Sequence, residues 1–419
     1  MKAPRATRLC TLITVLSAAA LLSPPQPAQA APAPITPPAA LSVPGSSTAP
    51  VDDPFFHPPT PVTAKPGTVI RSRTSRFRVQ PSGLVDTAVH AWQLLYSSTD
   101  AHSRPIAVSG TLLVPREPHH GNGPRPIVAY AIGTHGLGDH CAPTRTLANG
   151  TDYEGVVIHA MLERGWAVAV TDYEGLGTPG AHTYANGRSQ GQAVLDSLRA
   201  AGRLPGTGLS AEAPMAVTGY SQGGQAAIWA AELQPSYAPD LDLRAASVGA
   251  PAADLQAVAQ HLDGRAGFGF GLAAGVGLKA AYPELRLDEA LTEHGRKLIS
   301  DVTDDCTLQI AAKYGLRTWK AVTREDILQS PEWIQRLGEQ KAGRRRPLTP
   351  VRLYHSQRDD VIPYHASTEL RDRLCALGAT VEWQPYTVPT HIAAFYASAP
   401  QSLSWIEGRL SGQRVGNDC

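Results

Sequence analysis

Along the chain, apolar stretches of strand length alternate with longer stretches whose small and apolar residues recur at helical spacing. Residues 91–96 and 106–114 come first. Residues 127–132 and 166–170 are apolar almost throughout, too uniformly for a sheet with one wet face, and predict parallel strands buried on both sides. Residues 215–218, 351–355 and 379–388 also have strand character, and 191–201 and 222–233 read as helices. Alternation of this kind predicts an α/β fold with a mostly parallel, doubly wound sheet. No internal repeat is evident. Between the last two strands and those before them, residues 251–350 are mostly helical in pattern and read as a cap inserted into the sheet domain.

The first fifty residues break this pattern. Lys2, Arg5 and Arg8 precede a fourteen-residue apolar run, 9–22, followed by Ala28-Gln29-Ala30. This is the arrangement of a secretory signal peptide cleaved after Ala30. The run falls short of the ~20 residues that span a bilayer, so no stable membrane anchor is expected. Residues 31–50 are mostly Ala, Pro, Ser and Thr without charge, a composition that cannot offset its ordering entropy, and read as a linker. The remainder, 51–419, reads as one domain. Loss of the signal leaves 34 basic and 36 acidic residues, a formal charge of −2. Nucleic-acid binding needs a strong basic excess and is excluded.

Cys10 leaves with the signal peptide. Cys141, Cys306, Cys375 and Cys419 remain, an even set in an exported chain, which reads as two disulfides with three pairings open. None of these cysteines sit at zinc-ligand spacing, and no metal is expected.

The sharpest chemical signal is Gly219-Tyr220-Ser221-Gln222-Gly223, between a predicted strand and a predicted helix. A serine on so tight a turn is lifted clear of the sheet, and the glycines stand where a Cβ would collide with neighbouring backbone. The amide of Gln222 then opens a helix, where free N–H groups favour an anion. Such a serine needs a base and a group to orient it, in the order Ser, Asp or Glu, His. Past the strand at 351–355, Asp359 is the predicted acid, with Asp360 as the alternative; past the strand at 379–388, His391 is the predicted base, set in a loop. His355 and His365 compete with it. The loop Gly133-Thr134-His135-Gly136-Leu137-Gly138 follows the third predicted strand, and the amide of Thr134 is the expected second oxyanion donor. His135 reads as a pocket wall.

Taken with Leu95-Tyr96-Ser97-Ser98-Thr99-Asp100, Cys141-Ala142-Pro143-Thr144, Thr171-Asp172-Tyr173-Glu174-Gly175-Leu176-Gly177 and Gly249-Ala250-Pro251-Ala252-Ala253-Asp254-Leu255, these residues resemble the secretory lipases of the α/β-hydrolase superfamily. The resemblance runs from Asp53 to His391. It implies an esterase or triacylglycerol lipase with Ser221, Asp359 and His391 as triad and no cofactor, acting on lipid or other ester substrate at a lipid–water interface. It also implies a Cys141–Cys306 disulfide, which leaves Cys375 with Cys419. Some fungal relatives carry an acidic side chain in the oxyanion loop, whereas this chain has Gly133-Thr134-His135-Gly136.

Two alternatives share the triad, a short-chain esterase and an acyltransferase; a third is a catalytically silent binding protein. Within the cap, the glycine-rich apolar stretch 264–278 reads either as a mobile lid or as a buried helix with close backbone packing. Arg344-Arg345-Arg346 reads as a solvated loop.

Overall fold

The computed structural model describes residues 52–85, 87–414 and 416–419; the predicted signal peptide and linker lie outside the described residues. Strands β1 (Val69–Ser75), β2 (Val89–Thr99), β3 (Pro105–Pro115), β4 (Ile127–Ala131), β5 (Ala167–Thr171), β6 (Met215–Tyr220), β7 (Leu243–Gly249), β8 (Val351–Ser356) and β9 (Val381–Tyr386) form one sheet. Its order is β1-β2-β3-β5-β4-β6-β7-β8-β9. The first three pairings are antiparallel and the five from β5–β4 to β8–β9 are parallel. The uniformly apolar stretch 127–132 is thus a parallel strand, whereas 166–170 sits at the switch, parallel to β4 and antiparallel to β3.

β4, β5 and β6 are buried at every position, which requires cover on both faces. That cover comes from α2 (Gly155–Leu162), α3 (Gly187–Arg203), α4 (Gln222–Tyr237) and α13 (His391–Leu410), while α1 (Pro143–Asn149) packs on β3 and α12 (Tyr364–Ala376) on β8 and β9. Fully enclosed side chains such as Ile127, Leu353 and Ile228 each contribute about 1.5–3 kcal/mol of transfer free energy.

Between β7 and β8 the chain makes a helical cap: α5 (Leu255–Leu262), α6 (Phe268–Ala281), α7 (Leu287–Ala290), α8 (Glu293–Val302), α9 (Thr307–Lys313), α10 (Trp319–Val322) and α11 (Pro331–Glu339). The cap has its own apolar core, with Phe268, Leu272, Val302, Ile310 and Val322 at its centre. α6 is that core's axis. A Cβ on Gly269 would lie 2.5 Å from the carbonyl oxygen of Ile310, and one on Gly277 2.2 Å from that of Tyr184. Gly269 and Gly277 thus stand where backbone packs on backbone, as the second of the two readings expects of them.

Cys141 pairs with Cys306 and Cys375 with Cys419, the pairing implied by the resemblance. The first bond ties the loop after β4 to the cap. The second holds Asn417–Cys419 along the outer side of β9, where the amide of Asp418 donates to the carbonyl of Val381 (2.7 Å). Asp418 and Asn417 side chains in turn accept from the amides of Trp383 (2.8 Å) and Val381 (3.1 Å). Among the described residues no helix is long and apolar enough to cross a membrane.

Candidate active site

β6 ends at Tyr220 and α4 begins at Gln222, so Ser221 alone makes the turn, at φ 61° and ψ −120°. A non-glycine residue held there costs about 1–3 kcal/mol of backbone strain. The surroundings enforce it. The amide of Ser221 donates to the carbonyl of Gly249 at the end of β7 (3.0 Å), and its carbonyl accepts from Gln225 in the first turn of α4 (2.9 Å). A Cβ on Gly223 would lie 2.0 Å from the carbonyl oxygen of Ala131, and one on Gly219 2.5 Å from the same atom. The turn is clasped between the ends of β4 and β7, which is why glycine flanks the serine.

Beyond β8 the chain folds back so that Oδ1 of Asp359 accepts from the amides of Val361 (2.9 Å) and Ile362 (2.8 Å). Its Oδ2 faces Nδ1 of His391 at 2.6 Å and Nε2 of His355 at 3.1 Å. Burial by itself would raise this carboxyl, but the two histidines outweigh it and hold Asp359 well below the usual carboxylate range. Because a carboxylate only accepts, both facing nitrogens carry protons. In the neutral ring Nε2 of His391 is then the nitrogen without a proton, and it is buried without a hydrogen-bond partner among the described residues.

His391 is not in a loop: Thr390, at φ 63°, caps α13, and His391 is its first residue. Asp360, the alternative acid, accepts from the backbone amide of His391 (2.7 Å) and so holds the same residue by its main chain. The ring of Tyr220 lies 4.8 Å from that of His391, and its hydroxyl donates to the His391 carbonyl (3.0 Å). The residue before Ser221 thus carries the imidazole. His355 is bound between Ser367 and Asp359, and His365 is exposed on α12.

β4 and β6 are neighbours in register, Ala131 opposite Gly219, and Thr134 and Gln222 each stand three residues beyond that pair. The Gln222 side chain donates to Gln190 (2.7 Å), leaving its amide at the start of α4. The Thr134 hydroxyl is hydrogen-bonded to Tyr184 (2.8 Å), and its carbonyl accepts from Tyr153 (3.1 Å) and from Thr307 of the cap.

Behind this loop lies a buried group of which the sequence singled out His135 alone. Nε2 of His135 donates to Asp152 (2.9 Å) and Nδ1 to the carbonyl of Gly133 (3.1 Å), so the ring is an internal clamp, not a pocket wall. Glu154 accepts from the amide of Gly133 (2.8 Å) and from Tyr130 (2.9 Å). The donor atoms of His135, Asp152 and Glu154 lie within 4.8 Å of one another, as metal ligands would, but both ring nitrogens are already engaged. Burial would lower His135, yet the charge and hydrogen bond of Asp152 raise it to about 9; burial raises Glu154 to about 7.

Both shifts favour the protonated form in the folded state. The stability they contribute is therefore lost as pH rises, for Glu154 between 4.5 and about 7 and for His135 between 6.5 and about 9. The unfolding temperature is expected to fall across that range, and His135→Gln to remove the upper part of the fall. Superimposable profiles for the two proteins would refute the assignment.

Residues 140–418 match the secretory lipase family. The chain is 33% identical to a probable inactive lipase of Mycobacterium tuberculosis, over 87% of this chain and 83% of that one. It is 27% identical to a secreted triacylglycerol lipase of Malassezia furfur, over 88% and 81%. Among solved structures, Candida antarctica lipase A in its closed state shares the fold with a TM-score of 0.81 at 24% identity, covering 90% of this chain and 89% of that one.

Proposed function

The chain belongs to the secretory lipase family, and from that membership we propose that it is a secreted serine carboxylic ester hydrolase that cleaves triacylglycerols through an acyl-enzyme on Ser221. The observation that carries this reading is the free Nε2 of His391, oriented through Nδ1 by Asp359 and packed on the residue before a strained Ser221. Nε2 takes the proton of Ser221 as its oxygen attacks the ester carbonyl. The amides of Gln222 and Thr134 hold the resulting oxyanion, and His391 returns the proton to the departing alcohol. Asp359 stabilises the imidazolium in between. Water then repeats the sequence on the acyl-enzyme. No step calls for a cofactor.

On esters of increasing acyl length, each assayed below and above its solubility limit, turnover is expected to rise once long-chain esters form a separate phase. Turnover confined to short, dissolved esters would make the protein an esterase, and acyl transfer to an added alcohol in preference to water would make it an acyltransferase. Likeness to a probable inactive lipase favours a second reading, a silent binding protein. Stoichiometric labelling of Ser221 by a fluorophosphonate separates the two, since a silent site leaves the serine unlabelled.

A further inference from the structure

The arginine run read from the sequence as a solvated loop borders a cavity of about 380 Å³, separate from Ser221. One wall is Trp229, eight residues along α4 from Ser221 and so roughly 12 Å up the helix. Tyr282 forms another, and four arginines line the space with them, Arg188, Arg336, Arg344 and Arg345. Arg336 is satisfied by Glu284 (2.5 Å) and by Glu339 (2.6 Å), which also lines the cavity. The other three have no carboxylate partner among the described residues. Arg344 and Arg345 form no ion pair, and Arg188 donates from Nη2 to Ser103 (2.8 Å) while its Nε stays buried and unpartnered. The indole N–H of Trp229, 4% exposed, is also unpartnered but packs against Gly187 of α3, where a Cβ would lie 2.1 Å from it. A buried donor without an acceptor is uncommon and destabilising unless something fills the place.

The arrangement is also held in advance. Glu232, three residues past Trp229 on α4, accepts from the amides of Gly343 (2.5 Å), Arg344 (3.2 Å) and Arg345 (3.2 Å). One buried carboxylate thereby fixes the backbone from which two free arginines project, although its charge offsets part of that of Arg345. Arg345 lies over the Trp229 ring at 5.8 Å and Arg336 over Tyr282 at 4.5 Å, so aromatic faces orient the cations. Planar guanidinium forks match the oxygens of a phosphoryl group.

We infer that this cavity binds a phosphoryl group carried on a small organic body, as a second ligand site independent of the ester chemistry at Ser221. The group could come from a free phosphate ester or from the headgroup of an anionic phospholipid, and the probes separate these sources. Calorimetric titration with glycerol 3-phosphate tests the first. Sedimentation with vesicles of ether-linked phosphatidylcholine, with and without ether-linked phosphatidylglycerol, tests the second, since ether lipids cannot be hydrolysed.

Saturable binding in either arm is expected, weakened by salt and weakened roughly tenfold or more in Arg344→Gln/Arg345→Gln. That variant is expected to keep the unfolding temperature and the rate on a dissolved ester, because both side chains are exposed. If the double variant is unstable, Arg344→Gln alone is titrated in the same way. Absence of binding in both arms, or binding unchanged by the substitutions, overturns the inference.

Discussion

Ser221→Ala is expected to lower kcat/KM for ester hydrolysis by on the order of 10⁵-fold or more, the effect seen when the nucleophile of a serine hydrolase is removed. Alanine keeps the Cβ and leaves the clasp of Ala131 and Gly249 around the turn intact, so the unfolding temperature is expected to stay close to that of the parent. Ser221→Gly provides the control. It removes the nucleophile equally, but at φ 61° it also relieves the strain, and it is expected to unfold about 1 kcal/mol later in denaturant. Loss of activity in both variants, with stability unchanged in one and raised in the other, assigns the loss to the hydroxyl. A residual rate within roughly a hundredfold of the parent would end the acyl-enzyme proposal.

Asp359→Asn is expected to lower kcat by on the order of 10⁴-fold. The amide would turn a donor toward His391 or His355, and an imidazole that loses its acceptor at Nδ1 no longer presents a bare Nε2. The variant is also expected to be less stable at neutral pH. A carboxyl held well below its ordinary range contributes stability that is present above pH 3.8 and lost on acidification, and asparagine lacks that contribution throughout. Asp360→Asn retains an oxygen that can accept from the His391 amide, so its effect on kcat is expected to be small. Comparable losses in the two variants would remove the distinction between the adjacent acids.

That distinction shows where sequence reasoning stopped. Ser221 was legible because its constraint is local: strand, glycine, serine, glycine and helix are consecutive, and the clash that excludes a Cβ follows from the turn itself. Asp359 and Asp360 differ only in which side chain meets the amides of Val361 and Ile362, a fold-back that no spacing encodes. Chain order points to His391 but sets it in a loop, whereas Thr390 caps its helix from a left-handed conformation rare for threonine. His135, Asp152 and Glu154 come together from a loop and a helix start through burial alone. The sheet, by contrast, was largely visible in the apolar runs that became β4 and β5. The glycines of α6 were ambiguous for a physical reason, since the absence of a side chain permits both motion and close approach, and only the neighbours decide.

The segment Asn417–Cys419 covers the outer edge of β9. An outermost strand with unsatisfied amides and carbonyls invites a neighbouring molecule to extend the sheet. Here the molecule supplies the extension itself, and the Cys375–Cys419 bond keeps it in place. Reduction of that bond is expected to free the segment and bare the edge of β9, and self-association measured by sedimentation with and without reductant checks it.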